Sequence, residues 1–477
     1  MEQRISDHSL HGFITEVLTD ARVTLQIRPN DYARYNAKRG LRNEDGTGVL
    51  IGLTEIGDVH GYIIDDREKI PAEGRLSYRG YNLKDLVVGF QREQRFGYAE
   101  TAYLLLFGEL PTPGQLATFT DMLGVASELP PGFTEDMVLR APSSNIMNKL
   151  ARSVLVSYSF DSNPEDYGIA NILRQSVELI ARFPTMVAYA YQAKRHYFHG
   201  ESLYIHAPQS NLTTAENLLQ MIRPDKSYTR LEAETLDLSM VLHAEHGGGN
   251  NSAFVTHVVS SAATDTYSAI AAAVGSLKGL KHGGANARVV GMMEAIKQDV
   301  TDWTNEDQIA AYIEKLLRGE AYDRSGLVYG MGHAVYTLSD PRAVLLKAKA
   351  EELARDKGLS DEFNLYRMVE RLTPMVFQQV KKTDKMICAN VDFYSGFVYR
   401  MLNIPDDLYT PIFAVARVTG WCAHRVEELV SGGRIIRPAY KSVIGRRIYS
   451  PLANRSGAGP APMQIQSESN MDTGPED

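Results

Sequence analysis

Only two cysteines, Cys388 and Cys422, occur in the 477 residues. Two thiols make neither a disulfide framework nor a four-thiolate zinc site, and they fit a reducing cytoplasm, where the protein is expected to reside. No apolar run approaches the roughly 18–20 residues that a membrane span needs, so no membrane partner is expected. The opening MEQRISDHSLHGF has neither the apolar core of a secretory leader nor the Arg/Ser-rich, acid-poor character of a transit peptide. A basic excess is missing too: 50 Lys and Arg face 58 Asp and Glu, for a net charge of -8. Without a Lys/Arg stripe to offset that balance, nucleic acid is not an expected partner. Alternating β patterns are scarce, the clearest being GVLIGLTEIGDVHGYI at 48–63, and no internal repeat is visible. What remains is 44% hydrophobic and 23% charged, an ordinary globular composition with length enough for two or three domains.

Helical periodicity runs through nearly all of it. TNEDQIAAYIEKLLRG (304–319) predicts a helix with Thr304 as N-cap, an apolar face of Ile309, Ile313, Leu316 and Leu317, and Gly319 as its stop. DPRAVLLKAKAEELARDKG (340–358) predicts another, with Asp340 as N-cap and Pro341 at the first helical position. The segments 100–110, 267–277 and 413–429 read as buried or half-buried helices. The tail from Ala453 is poor in apolar residues and rich in Gly, Pro and Ser, so 453–477 reads as disordered. The fold class is therefore mainly α.

Candidate chemistry gathers around histidines beside glycines. Five of the twelve histidines lie between 243 and 333. In VLHAEHGGGNNSAF (241–254), His243 and His246 are three apart, whereas metalloprotease helices space their histidines by four, so metal is the weaker reading. A helix C-terminus with an internally satisfied histidine is one alternative. The other is an anion cradle in which His246 and Asn250 donate hydrogen bonds where GGG lets backbone come close. LKGLKHGGANARVV (277–290) places His282 before a glycine pair at a helix start, where an imidazolium is disfavoured and a neutral donor fits. In LVYGMGHAVYTLSDPR (327–342), His333 and Arg342 could meet a carboxylate ligand from one short segment; an ordinary surface ion pair is the plainer account of that arginine. Asp392 in NVDFYSGFVY either caps a helix or acts as a base. Arg417 and Arg437 sit in apolar sequence and each needs a partner, for which protein Asp or Glu would serve as well as a ligand.

Taken in order, HAEHGGGNNSAF, LKHGGANARV, GMGHAVYTLSDPR, NVDFYSGFVY, AVARVTGW and IIRPAYKS resemble the citrate synthase family in sequence and spacing. LSYRGYNLKDLV (76–87) and ETAYLLLFGELPT (100–112) are similar to its amino-terminal signature, so the resemblance covers roughly 45 to 450. It implies an almost wholly helical, two-domain homodimer with a few short strands near the N-terminus. The large, dimer-forming domain would comprise 1–281 and 396–452, and a small domain, 282–395, would close over the substrates.

The implied reaction condenses oxaloacetate with acetyl-CoA and hydrolyses the citryl thioester. On this resemblance Asp392 is the general base at the methyl carbon, His282 donates to the thioester oxygen and His333 polarises the ketone. His246, Asn250, Arg342, Arg417 and the partner subunit's Arg437 would hold oxaloacetate, while Gly330, Met331, Gly332, Lys385 and Asn390 would contact CoA. Neither a metal nor any other cofactor is implied. With an ordinary carboxylate pKa of about 3.9, Asp392 would be a poor base for a thioester α-proton unless the developing enolate oxygen is stabilised. One departure stands out: four residues after His333, where family members often carry Arg or Lys suited to a CoA phosphate, this chain has Thr337. The family also includes 2-methylcitrate synthases, which use propionyl-CoA. A non-catalytic dicarboxylate binder and a zinc hydrolase built on 243–246 are the other classes of function open to the sequence.

Overall fold

The computed structural model describes residues 27–43, 46–65, 68–444 and 448–454, and there the chain is mostly helical where apolar residues recur every three or four positions. Ten helices matter for the site and its support: α1 (Tyr98–Phe107), α2 (Ile169–His199), α3 (Arg230–His243), α4 (Asn251–Ser260), α5 (Thr266–Leu277), α6 (Ala285–Asp299), α7 (Glu306–Arg318), α8 (Pro341–Asp356), α9 (Val391–Met401) and α10 (Tyr409–Val430). Asp340 caps α8 by accepting the Arg342 N–H at 3.0 Å, with Pro341 at the first position as expected. For α7 the cap is Asn305 rather than Thr304. Asn305 accepts the Gln308 N–H, and the Thr304 hydroxyl donates to Asp302 instead.

The strands lie later than the 48–63 pattern suggested. β1 (Gly57–Asp65), β2 (Glu68–Tyr78) and β3 (Tyr81–Asn82) form one antiparallel sheet in the order β1-β2-β3. Pro71 and Gly74 break the alternation of β2, which hid it from a reading by period two. The register shifts between His60 and Tyr62, where Gly61 of β1 stands opposite three residues, 72–74, of a bulged β2. A Cβ on Gly61 would lie 2.5 Å from Val335 O, and one on Gly74 would lie 2.1 Å from Ser339 O. The missing side chains let the sheet press directly on the backbone of the segment that follows His333.

Contacts divide the chain into Met1–Ile51 with Arg437–Asp477 and, separately, Gly52–Ile436. In the first, a helix over Pro29–Arg34 leads to a turn that the Val49 N–H closes on Leu41 O, and Arg437 is exposed. The disorder expected of the tail concerns residues that, from 455 on, lie outside those described. In the second unit one continuous apolar cluster runs from Ile56 to Ala423, with members on both sides of the boundaries expected at 281/282 and 395/396. α10 is buried almost throughout its length and packs on α2, α3, α4 and α5.

Substituting Gly74 by Ala should lower stability by about 1–3 kcal/mol through overpacking against Ser339. Gly89, inside the helix Leu83–Arg92, is the control, because a Cβ there would meet nothing within 4 Å. Its change to Ala should be neutral or raise stability by up to about 1 kcal/mol. Chemical denaturation of the two variants checks this, and equal midpoints would contradict the close approach.

Candidate active site

Short backbone hydrogen bonds draw together residues far apart in sequence. The loop bearing His333 pairs with the entry to α9: the Asn390 N–H donates to Gly330 O at 2.8 Å, the Gly332 N–H to Cys388 O at 2.7 Å and Asn390 Nδ2 to Gly332 O at 2.9 Å. Asn390 Oδ1 then caps α9 by accepting the Asp392 N–H at 3.0 Å. Asp340 makes a second stitch. It grips Arg342 through Nε at 3.0 Å and Nη2 at 2.7 Å, and it accepts the Val391 N–H at 3.3 Å. Helices α8 and α9 therefore present Arg342 and Asp392 from one shared anchor.

His246, in the turn after α3, faces His333 edge-on with ring centres 5.1 Å apart, and His333 stacks on Tyr336 at 4.6 Å. Tyr336 also meets the His246 ring at 5.7 Å and carries the Arg342 guanidinium 5.9 Å above it. His333 Nδ1 accepts the N–H groups of Val335 (3.0 Å) and Tyr336 (3.2 Å). Its ring proton therefore sits on Nε2, which makes that nitrogen a donor.

On α10, Arg417 is fully buried and its Nε donates to His243 O at 2.6 Å. Its Nη1 and Nη2 are buried with no hydrogen-bond partner, as are His246 Nε2 and the Tyr336 hydroxyl. Arg425, two turns further along the same helix, has its nitrogens taken by Thr266 Oγ1, Ser260 Oγ and Thr264 O. The ion pair that was the plainer account of Arg342 is present, with Asp340, but buried rather than at the surface; the carboxylate partner expected for Arg417 is replaced by a single carbonyl. Native interiors rarely leave such donors open, so several unused donors beside one another mark a place for an anion.

A second group surrounds His282. Its Nε2 lies 3.0 Å from Ser252 Oγ, which accepts the Trp421 indole N–H at 3.0 Å and donates its own proton to Asn250 Oδ1 at 2.9 Å. Burial, reinforced by Arg417, pushes His282 down to about 4. Burial likewise holds His246 well below its ordinary value, with Arg342, His333 and Arg417 adding to the effect. Both rings are neutral near pH 7. Burial pushes Asp392 up to about 6 against the pull of Arg342 and Arg417, which replaces the unperturbed carboxylate assumed from sequence.

His246, Asn250, His282, His333, Arg342, Asp392 and Arg417 are thus linked by contact or by direct electrostatic influence. Lys385 is exposed, and its N–H bonds only to Thr383. The N–H groups of Met331 and Gly332 are spent on Val328 O and Cys388 O, so that segment serves as a brace. The Thr337 hydroxyl is buried. Sequence reasoning missed Tyr336, Asp340 and Ser252. Tyr336 follows His333 by three and Ser252 follows Asn250 by two, signals too common to single them out. The HAEH pair does not converge on an ion: the His243 ring bonds to Ser239 O at 2.7 Å. Among the described residues the donors close enough to share one ion are those of His257, His424 and Glu427, within 4.8 Å of one another.

Residues 45–439 match the family model described as citrate synthase, C-terminal domain. A citrate synthase of Haloferax volcanii is 33% identical over 408 residues, which cover 84% of this chain and 94% of that protein. A 2-methylcitrate synthase of Shewanella oneidensis is 31% identical over 382 residues, covering 80% and 92%. The citrate synthase structure from Pyrobaculum aerophilum superposes with a TM-score of 0.69 at 30% identity, covering 85% of this chain and 94% of that one. A ternary complex of carboxymethyl coenzyme A and oxaloacetate with the citrate synthase of Thermoplasma acidophilum shares the fold, with a TM-score of 0.71 at 24% identity over 87% and 99% of the two chains. The stitched histidine and arginine segments and these matches lead to one conclusion: the chain belongs to the citrate synthase family, enzymes that transfer acyl groups and convert them to alkyl groups on transfer.

Proposed function

We propose that this enzyme condenses oxaloacetate with acetyl-CoA to give citrate and CoA. The observation that carries the reading is the set of open polar atoms, the donors Arg417 Nη1 and Nη2 and the Tyr336 hydroxyl with His246 Nε2, all buried and unpartnered. Oxaloacetate is a dianion whose carboxylates would satisfy them, and a hydrogen bond to a charged group is worth about 1.5–3 kcal/mol. Arg342 supplies the remaining positive charge from its Asp340 anchor, and the partner subunit's Arg437 completes the clamp in a homodimer. The ternary complex of the Thermoplasma relative, with a CoA analogue and oxaloacetate, supports the same pair of substrates.

The chemistry follows from the protonation states. Asp392, raised to about 6, holds its proton more firmly than a free carboxylate does. It therefore removes one from the thioester methyl with less uphill work, an effect in which general-base catalysis contributes about 10²–10⁴. Ser252 has one hydroxyl proton. It goes to Asn250 Oδ1 in the free site; turned instead to His282 Nε2 once oxaloacetate engages Asn250, it would leave the imidazole proton on Nδ1 to donate to the thioester oxygen as the enolate forms. The enolate carbon then attacks the ketone of oxaloacetate, whose oxygen receives a hydrogen bond from His333 Nε2. Water hydrolyses the citryl thioester and releases CoA. Movement of 282–395 against 1–281 and 396–452 would bring the acyl thioester to the anion and exclude water. Gly330, Met331, Gly332 and Asn390 would line the CoA side, with Lys385 at its rim. No metal or cofactor takes part. Two buried free cysteines fit a cytoplasmic setting, and no helix among the described residues is long and apolar enough to cross a membrane.

The match to a 2-methylcitrate synthase keeps propionyl-CoA as the rival acyl donor, since one methylene discriminates by only about 1–3 kcal/mol. Thiol release measured with oxaloacetate should be faster with acetyl-CoA, and a preference for propionyl-CoA would reverse the assignment. Asp392→Asn should lower kcat by at least about 10²-fold while oxaloacetate still binds by calorimetry; undiminished turnover would remove Asp392 from the role of base. Because the base works ionised, kcat/KM should rise with pH and level off above about 6. A limb centred near 4 in the pH profile would contradict the raised carboxyl.

A further inference from the structure

Behind the anion-binding wall runs a chain of ionisable groups that the proposed reaction does not use. His257 Nδ1 lies 2.8 Å from Glu428 Oε2, His257 Nε2 lies 3.1 Å from His424 Nδ1, and His424 Nε2 lies 3.0 Å from Glu245 Oε1. Glu427 Oε2 stands 3.8 Å from His424 Nδ1. The side chains of His424 and Glu245 are both 0% exposed. The outer nitrogen of each ring faces a carboxylate and carries its proton there. That leaves the two inner nitrogens, 3.1 Å apart, as opposed lone pairs unless one more proton lies between them. An imidazolium at His424 resolves the conflict. Burial opposes the charge, but Glu245 and then Glu427 override it and hold His424 up to about 9. Burial and the neighbouring His424 hold His257 below its usual value.

Glu245 precedes His246, and the backbone is cleared to house its carboxylate. A Cβ on Gly57 would lie 2.9 Å from Glu245 Cγ, and one on Gly420 would lie 2.4 Å from Glu245 Oε2. Gly420 is one turn after Arg417 and one turn before His424, so one stripe of α10 presents a guanidinium, a gap for a carboxylate and an imidazole in sequence. Glu245 is the strongest charge supporting Arg417, which burial draws down to about 10. Yet Glu245 makes no hydrogen bond to the open Nη1 and Nη2; neither of its oxygens accepts one, and what engages it is the ion pair to His424 Nε2 at 3.0 Å. A planar guanidinium and a carboxylate left alone in a dry interior would pair two-pronged.

We propose that His424 is a positioning residue for the anion site: as the cation that engages Glu245, it keeps that carboxylate from capturing Arg417 and so leaves the guanidinium open to the substrate. The proposal rests on reading Arg417 as an oxaloacetate ligand. The charged and titratable groups facing His424 are Glu245 from the turn after α3, His257 from α4 and Glu427 from α10, with Glu428 beyond His257.

Steady-state kinetics on the full chain test it. His424→Gln should raise KM for oxaloacetate at least about 10-fold, the range of one hydrogen bond to a charged group, with KM for the acyl-CoA within about twofold. Glu245→Gln combined with His424→Gln removes the competing carboxylate as well and should restore KM for oxaloacetate to within about threefold of wild type, a coupling that independent sites do not show. A general packing defect would raise both KM values and would not be rescued. An unchanged KM for oxaloacetate in the single variant, or no recovery in the double, overturns the proposal. If the single variant does not fold, wild type decides. Its KM for oxaloacetate should begin to climb as pH passes about 9, ahead of the loss of charge on Arg417 near 10, and the step near 9 should be missing from the double variant; a step near 9 persisting there overturns the proposal. Absence of thiol release by wild type with oxaloacetate would instead overturn the reading of the substrate.

Discussion

A guanidinium in the middle of a buried helix, with two of its three nitrogens unbonded, is the constraint around which this enzyme is arranged. Taking a charge out of water is expensive unless the protein or a ligand restores its interactions. Arg417 receives one carbonyl, the face of Phe413 at 4.7 Å and the field of Glu245. The remainder is left for an anion. Burial and this positive charge together keep His246 and His282 neutral, which suits hydrogen-bond donors that must not compete with the substrate for charge. The same burial leaves Asp392 protonating near 6, where a base is strong enough to matter.

Preorganisation comes from backbone rather than from long side chains. The strand pairing between 330–332 and 388–390 and the two-helix anchor at Asp340 fix the His333 loop, Arg342 and the start of α9 relative to one another. The β-sheet, close against 335–339 through Gly61 and Gly74, braces that loop from the other side. Donors held this way need no reorganisation as charge develops, which is where electrostatic catalysis gains most.

Element by element, the sequence was legible where a local cause acts alone. The start of α8 follows from Asp340 and Pro341, and α7 was misplaced by one residue only because Thr304 and Asn305 are both able caps and Asp302 takes up the threonine. β2 escaped notice because its Pro71 and Gly74 serve the approach of a distant loop, not the strand itself. Within the site, the histidines, Asp392 and the arginines announced themselves through ordered motifs. Tyr336, Ser252 and Asp340 did not, since a tyrosine, a serine and a helix-capping aspartate are ordinary until their neighbours are known.

Composition and periodicity by themselves determined a mainly helical chain with no membrane span among its patterns, and the ordered motifs determined its family. Which of two buried arginines on α10 is spent and which is open was decided by tertiary structure alone. Arg417 and Arg425 occupy similar apolar stretches, yet hydroxyls and a carbonyl from the α4–α5 region close around one while the other keeps two nitrogens without a partner. Periodicity is a property of neighbours along the chain, whereas the satisfaction of a buried charge depends on groups tens to hundreds of residues away, and only folding brings those within reach.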